Sequence, residues 1–308
     1  MNLKISVLII FCGVLAYTIS YFYPPFDALF LALIFGIFVG NFFDENKIKE
    51  AERILRITLP IGIAMYGVNI KNPQTHLSYI TIATLSTFIL SLFVYIASRV
   101  FNLNNRLGVL LSCGTAICGA SAIAIVASII KPKKEEFSTA VIVITIVGLT
   151  ASLILPYLYH VLSLPIEKYA ILCGATLHQT GLVEIATKPF GYKVVKVALS
   201  VKGVRIALIA VVAFIVSLTH SEHRYYVPWY IAAFLVISYI SNFILSEKIV
   251  SILKPVSTVA FSITLASVGF SVNVKDIQRM RLDPLIAAYS GWLVGFFLIF
   301  VAVTLYGW

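Results

Sequence analysis

The sequence has few charged residues. Only 12% of its 308 residues are Asp, Glu, Lys or Arg, whereas an ordinary soluble domain carries about 25%. Acidic residues are fewer than basic ones, 13 against 23. Hydrophobic residues make up 60% of the chain, and the mean hydropathy is +0.99. No soluble core could bury so much apolar surface. We therefore predict an all-α polytopic membrane protein.

The chain also lacks the sequence signatures of common catalytic and metal sites. It contains no zinc-ligand spacing, no phosphate-binding glycine loop and no motif that pairs a nucleophile with a base. Its four cysteines all lie in apolar stretches, where small buried side chains are the usual case and disulfides or metal ligands the alternative. We expect no cofactor, no metal and no enzyme, although an intramembrane enzyme could be built from Cys113, Cys118, His178 and Glu184.

Apolar stretches of bilayer length follow one another along the whole chain. A span needs about 20 mostly apolar residues, and the connections between stretches are short and polar. We predict one membrane domain over 1–308 with 10 to 11 transmembrane segments, the first being a span because no small-residue cleavage site follows it. The stretches are 4–22, 26–42, 54–70, 77–99, 107–130, 138–163, 169–187, 195–219, 227–246, 255–274 and 284–307.

The net charge of +10 comes from basic residues spread among the connections. Cytoplasmic loops are enriched in Lys and Arg, and anionic lipid head groups attract them. We therefore expect a multi-pass protein of the cell membrane whose partners are the lipid bilayer and a solute, and no nucleic acid. The sequence leaves a homo-oligomer open.

Two segments are predicted to be interrupted. If every segment crosses fully, the basic residues divide almost evenly between the two faces, which contradicts the usual bias. Treating 107–130 or 169–187 as re-entrant restores the asymmetry, and both are rich in small and polar residues. At least one should therefore not cross as a simple helix.

An internal similarity indicates a repeat. Residues 68–74, Val-Asn-Ile-Lys-Asn-Pro-Gln, match 272–278, Val-Asn-Val-Lys-Asp-Ile-Gln, and a long apolar span follows each. Chance is the alternative for so short a match. A true repeat predicts a transporter with halves of about 1–163 and 164–308 and a solute site near their interface.

The fifth segment contains Gly114, Thr115, Cys118, Gly119 and Ser121. Glycines at this depth lower the cost of unwinding and allow backbone N–H groups to face a cavity. A helix that restarts here would direct its positive end at the membrane midplane, where it could bind an anion. The alternative is that small residues only allow close helix packing.

The seventh segment contains the one clearly intramembrane acid, Glu184. An ionisable side chain at that depth is a functional candidate by default, and His178, six residues earlier, titrates near neutral pH, so both are candidates for proton coupling. A break between them, which Gly181 permits, would let both face one cavity, and we predict a broken helix over Gly174 to Gly181. Alternatively, His178 is structural and Glu184 pairs with Lys188. Further polar candidates in this segment for binding a solute are Thr176, Gln179 and Thr180.

Lys202 and Arg205 lie in the eighth segment on the same side of a helix. Two cations at that depth, facing protein, would favour an anionic solute. The alternative is that both extend to the cytoplasmic interface.

Three motifs in order carry a family resemblance. GTAICGASAIAIVASIIKPKKEE, then GATLHQTGLVEIA, then KGVR at the start of an apolar helix, together with the apolar pattern over nearly the whole chain, resemble the YeiH family, described as sulfate exporters. The resemblance implies a distant relation to the bile-acid symporter and cation/proton antiporter superfamily. Its members contain two inverted repeats of five helices and a pair of broken helices that cross at the midplane.

Carried over residue by residue, His178 matches the family's characteristic histidine, and Lys202 with Arg205 match its basic pair. Gln179 stands where an acid follows the histidine in other members. The small-residue motif is matched by Gly114 and by Cys118, Gly119 and Ala120.

Together, the residues and the resemblance predict a secondary active transporter of a small anion, sulfate-like by resemblance. It would work by alternating access and be coupled to protons or sodium. The binding residues would be those named in the fifth, seventh and eighth segments, with His178 and Glu184 as coupling residues. The alternatives are an anion channel and a proton- or sodium-coupled cation antiporter. Such antiporters usually need intramembrane carboxylates, and this sequence offers one glutamate.

Overall fold

A computed structural model describes residues 3–23, 26, 28–43, 46–69, 77–220, 229–271 and 281–305. Helices make up all the regular structure in these ranges, which contain no strand, and each of the predicted apolar segments is helical. The helices are α1 (Leu3–Phe22), α2 (Ala28–Gly40), α3 (Asn46–Tyr66), α4 (Leu77–Val100), α5 (Asn105–Ala116), α6 (Ala120–Ile130), α7 (Lys134–Val161), α8 (Ile166–Thr176), α9 (Thr180–Thr187), α10 (Tyr192–Ala207), α11 (Ile209–His220), α12 (Trp229–Phe243), α13 (Glu247–Ser271) and α14 (Asp283–Leu305).

Six stretches of the described chain are long and apolar enough to cross a bilayer by themselves. These findings confirm the predicted all-α, multi-pass membrane protein. The six stretches are Lys4–Phe22, Leu77–Val100, Lys134–Val161, Tyr192–Thr219, Glu247–Phe270 and Asp283–Leu305.

The described residues form two compact units, and both units take helices from both halves of the sequence. The panel unit comprises the described parts of Met1–Asn72, Ala127–Thr139 and Ala213–Met280, and the core unit those of Pro73–Val126, Ala140–Val212 and Arg281–Trp308. The proposed repeat motifs at 68–74 and 272–278 lie almost entirely outside the described residues, so the division into halves 1–163 and 164–308 stays a prediction.

In the panel unit, α13 packs along α2 and α3. The contact between α2 and α13 is backbone against backbone, because glycines stand where the helices meet. A Cβ on Gly36 would strike the Ala266 carbonyl, and one on Gly269 would strike that of Leu33. Lipid is as apolar as the helices, so the hydrophobic effect does not drive their association in a membrane. Small residues favour association instead, because they allow close van der Waals packing.

In the core unit, α4 lies against α5 and α14, and α10 lies against α8. A Cβ on Gly291 of α14 would lie 2.5 Å from the Val94 Cα of α4, and one on Gly174 of α8 would strike the Ala198 carbonyl of α10. These close approaches hold α8 and α10 together beside the two places where helices are interrupted.

Candidate functional site

The fifth segment is interrupted between α5 and α6, at residues 117–119, as its composition predicted. The N–H groups of Ile117 and Gly119 donate to the carbonyls of Cys113 and Gly114, at 3.1 and 2.9 Å. Gly119 has φ +69°, a left-handed conformation that glycine adopts at little cost. This residue therefore ends one helix and allows α6 to restart at Ala120.

The seventh segment is interrupted between α8 and α9, at residues 177–179. The backbone is extended at Leu177 (φ −72°, ψ 147°) and Gln179 (φ −110°, ψ 149°). Gly181 lies inside the first turn of α9. The interruption thus lies within the predicted range of Gly174 to Gly181, although Gly181 itself is helical and Gly174 packs closely against α10.

Lys202 of α10 joins the two interruptions. Its side chain is fully buried, and its ammonium donates to the carbonyls of Ile117, Leu177 and His178 at 2.5, 2.7 and 2.5 Å. An ammonium has three donors, so all of them are used. Lys202 does not extend to the interface but lies against both interruptions.

Arg205, one turn further along α10, is also fully buried. Its Nε donates to Ala116 O at 3.0 Å and its Nη2 to Ala116 O and Thr115 O at 2.8 and 3.0 Å. Its Nη1 donates to Gly174 O and Leu177 O, both at 2.9 Å. All five guanidinium donors are thus bonded to backbone carbonyls at the ends of α5 and α8.

These bonds neutralise two helix C-termini. The last carbonyls of a helix have no intrahelical partner and carry about half a negative charge, and Lys202 and Arg205 satisfy them at α5 and α8. The positive ends of α6 and α9 begin at the same two interruptions. Among the described residues, no acidic side chain hydrogen-bonds to either cation.

The interruptions therefore carry excess positive charge. Two cations give +2, the two C-terminal ends about −1 and the two N-terminal ends about +1, leaving a net charge of about +2. Carbonyl dipoles satisfy the donors but do not cancel the full charge. Burying a charge that the described residues do not compensate is costly, so the chemistry of this arrangement suits an anionic group.

His178 and Gln179 are buried polar residues, 0% and 5% exposed. None of their four side-chain nitrogen and oxygen atoms forms a hydrogen bond with any residue that the structure describes. An unsatisfied buried polar group costs about 1–3 kcal/mol, and such groups in native proteins call for an explanation. A polar ligand or bound water would satisfy them.

The two side chains have different neighbours within the core unit. A Cβ on Gly119 would lie 2.8 Å from the Gln179 Cγ, so Gln179 rests against the α5–α6 interruption. His178 instead faces α7 and α14. A Cβ on Gly148 would lie 3.5 Å from its Nδ1, and its ring centroid lies 6.3 Å from that of Trp292.

The predicted hydroxyl ligands divide into two kinds. Thr115 and Thr176 donate to the carbonyls of Leu111 and Leu172 in their own helices, at 2.8 and 2.7 Å, so they can only accept from a solute. Ser121 and Thr180, in the first turns of α6 and α9, have no side-chain hydrogen bond in the described structure. Cys118 is buried within the first interruption.

Glu184 and His178 are in different surroundings. His178 is fully buried, whereas Glu184 lies on the exposed face of α9 and, within the described chain, forms no ion pair with Lys188. Nothing in the described part of the chain places the two side chains in one cavity. Thr180 and Gly181 of α9 are exposed as well, as is Lys188 directly after the helix, so Thr180, Gly181, Glu184 and Lys188 form a polar stripe along α9 and its C-terminal end.

Sequence reasoning missed Trp292 and Gly148, and it missed the carbonyl ligands. Trp292 donates from Nε1 to the Thr176 carbonyl at 3.3 Å, and its place between Gly291 and Gly295 in an apolar helix was the available signal. The backbone carbonyls that bind Lys202 and Arg205 could not be predicted, because every residue type has a carbonyl. The described residues contain no group of three or more His, Cys, Asp or Glu able to hold a metal ion.

Comparison with known proteins shows the family. The profile of the family described as "Conserved hypothetical protein 698" matches residues 5–288. The chain belongs to this family. Relatives named "UPF0324 membrane protein" include one from Archaeoglobus fulgidus, 45% identical over 96% of this chain and 90% of its own length.

More distant UPF0324 relatives occur in Bacillus cereus and Listeria monocytogenes. They are 29% and 26% identical, over 76% and 89% of this chain and 70% and 88% of their own lengths. No solved structure matches the chain. The relatives' names state a membrane protein and no solute, so the function has to be argued from the site.

Proposed function

We propose that this UPF0324 membrane protein is a secondary transporter of a small anion, which binds between the positive ends of α6 and α9. The observation that carries the proposal is the buried pair Lys202 and Arg205, which has no acidic partner among the described residues. Membrane-buried ionisable residues mark solute pathways, and interrupted helices that direct their N-termini at a central site bind anionic groups in known transporter folds.

Gln179 and Ser121 are the proposed direct ligands. The Gln179 amide is buried, unpaired and adjacent to Gly119, and the Ser121 hydroxyl lies in the first turn of α6. Both supply donors without adding charge. Lys202 and Arg205 act on the anion through their charge, since carbonyls already occupy their donors.

The sulfate-like class rests on the resemblance to the YeiH family and on the net charge of about +2 at the interruptions, which matches a dianion. Coupling to protons is assigned to His178, whose two ring nitrogens are unpaired, with Glu184 on the exposed approach along α9. A proton carried on His178 would add charge beside the site, so anion and proton would move together.

Uptake of labelled sulfate, sulfite, thiosulfate, chloride and small carboxylates into proteoliposomes tests the proposal. We expect saturable uptake of at least one divalent oxyanion, faster when unlabelled anion is loaded inside, since such counterflow is a property of a carrier and not of a channel. Gln179→Met should abolish it. Asn242→Leu, a matched change of a membrane-segment amide whose Nδ2 donates within its own helix at 2.7 Å, should retain it.

Two results would contradict the proposal. If no anion of the panel accumulates while sodium or potassium exchanges for protons, the protein is a cation antiporter. If anion flux shows no counterflow and no saturation, it is a channel. An imposed pH gradient tests the coupling separately, because an uncoupled carrier would show the same uptake with and without it.

A further inference from the structure

The panel unit contains a cavity that is lined by none of the residues at the helix interruptions. Its volume is about 630 Å³, within the range of roughly 300–1,000 Å³ typical of small-molecule sites. It is bounded by α3, by the end of α6 and the start of α7, and by residues of α12 and α13. Much of its wall is apolar, formed by Leu55, Leu59, Pro60, Ala127, Phe137 and Val268.

Basic side chains line the same cavity. Arg56, Lys131 and Lys134 face a single lining acid, Glu52. Glu52 and Lys134 pair with each other at 3.0 Å, so their charges cancel. Arg56 and Lys131 are exposed, and their side chains have no hydrogen bond or ion pair within the described residues. The cavity thus holds two unneutralised positive charges beside an apolar wall.

Lys131 occupies a backbone position that does not favour lysine. Its φ is +47°, at the C-terminal end of α6, where glycine or asparagine is usual. Pro132 follows and ends the helix. Local backbone geometry therefore does not account for a lysine here, whereas an anion in the cavity would. The same geometry provides a variant, Lys131→Asn, that removes the charge and suits the turn.

We propose that this cavity binds an anionic phospholipid, with the phosphate between Arg56 and Lys131 and the apolar part of the molecule along the wall. Basic pockets between membrane helices bind anionic head groups. A free oxyanion would leave the apolar wall without a partner. A zwitterionic lipid carries its own ammonium group, which two unpaired cations disfavour. The site does not depend on the proposed solute transport.

Lipid binding to the purified full-length protein in detergent tests the proposal, by native mass spectrometry and by thermal unfolding. The probes are dioctanoyl phosphatidylglycerol, dioctanoyl phosphatidylcholine and inorganic phosphate at equal concentrations. We expect phosphatidylglycerol alone to bind and to raise the unfolding temperature. Arg56→Gln and Lys131→Asn should each weaken this binding about fivefold, the effect of one basic side chain near an anionic lipid.

Arg53→Gln is the matched control, since Arg53 is exposed on the same helix but does not line the cavity. Arg56→Lys keeps the charge and should bind like the wild type, which separates loss of charge from loss of fold. Equal binding of phosphatidylcholine, or equal weakening by Arg53→Gln, would overturn the proposal. If phosphate alone reproduces the effect of phosphatidylglycerol, the ligand is a free anion and the lipid assignment is wrong.

Discussion

Arg205 and Ala116 are joined by two hydrogen bonds, from Nε and Nη2 of the guanidinium to one carbonyl oxygen, at 3.0 and 2.8 Å. This fork caps the C-terminal end of α5, while the other nitrogen of the guanidinium reaches the end of α8. A single side chain of α10 thereby fixes both interruptions. The stability of the core unit and the charge of the proposed site depend on the same residue.

Replacing Arg205 by lysine should separate these two roles. Lysine keeps the positive charge but has three donors in place of five, so at least two bonds to buried carbonyls are lost. Each hydrogen bond from a charged group contributes about 1.5–3 kcal/mol. We expect Arg205→Lys to lower the free energy of unfolding by about 3 kcal/mol or more, measured by thermal or denaturant unfolding in detergent.

The control for this change is Arg53→Lys, which alters an exposed arginine of α3 and should change stability by less than about 0.5 kcal/mol. If Arg205→Lys were as stable as the wild type, the carbonyl capping described for the guanidinium would be wrong.

Gln179→Met should stabilise the protein while removing its function. Methionine nearly matches glutamine in shape, and it eliminates two buried polar atoms that have no partner, which cost about 1–3 kcal/mol when unsatisfied. We expect a higher unfolding temperature in the absence of anions and no anion uptake. A lower unfolding temperature would show that the Gln179 amide stabilises the folded protein even without an anion.

Gly119→Ala should damage both the backbone and the site. Alanine at φ +69° is strained by about 1 kcal/mol, and its Cβ would lie 2.8 Å from the Gln179 Cγ. Gln179→Ala in the same chain removes the clash with the Gln179 Cγ and leaves the backbone strain at position 119. A double-mutant cycle on unfolding free energy should therefore show coupling between the two positions. Strict additivity would contradict the contact between them.

The polar stripe on α9 should be open to water. Single cysteines at Gly181 and Glu184, both exposed, should react with a membrane-impermeant charged thiol reagent from one side of the membrane. Cysteine at Val183, which is 0% exposed, and cysteine at Phe297, an exposed apolar position of α14, should not react. The native cysteines give little background because all four are buried. If a cysteine at position 297 reacted as fast as those at 181 and 184, exposure at the protein surface would explain the labelling. A water-filled path along α9 would then be unsupported.

Residue type predicted the fold well and the site in part. The apolar segments and their helical structure follow from composition. Small and polar residues also indicated the two interruptions, with close helix packing, the role of Gly36 and Gly291, as the alternative. The exact geometry does not follow. The break was predicted between Gly174 and Gly181, and the chain extends there at Leu177 and Gln179, neither of which is a glycine. The Lys202 ammonium of another helix donates to the carbonyls of Leu177 and His178.

The roles of Lys202 and Arg205 also needed the structure. Their spacing predicted a shared helix face, and the structure has them there, fully buried. Their bonding partners are backbone carbonyls, which every residue possesses, so no pattern of side chains could reveal them. The different neighbours of His178 and Gln179 likewise depend on a backbone conformation that residue type does not specify.

We propose that the buried charge of Lys202 and Arg205 requires an anion, and the dependence of stability on anion concentration tests this requirement. Unfolding of the purified protein should be followed against sulfate at constant ionic strength, with the competing anions of the uptake panel in parallel. If the anion binds only the folded state, the free energy of unfolding should rise by about 1.4 kcal/mol for each tenfold increase above the dissociation constant. The rise should persist in Arg205→Lys, which keeps the charge, and disappear in Gln179→Met. A protein whose stability responds to no anion of the panel would contradict the account.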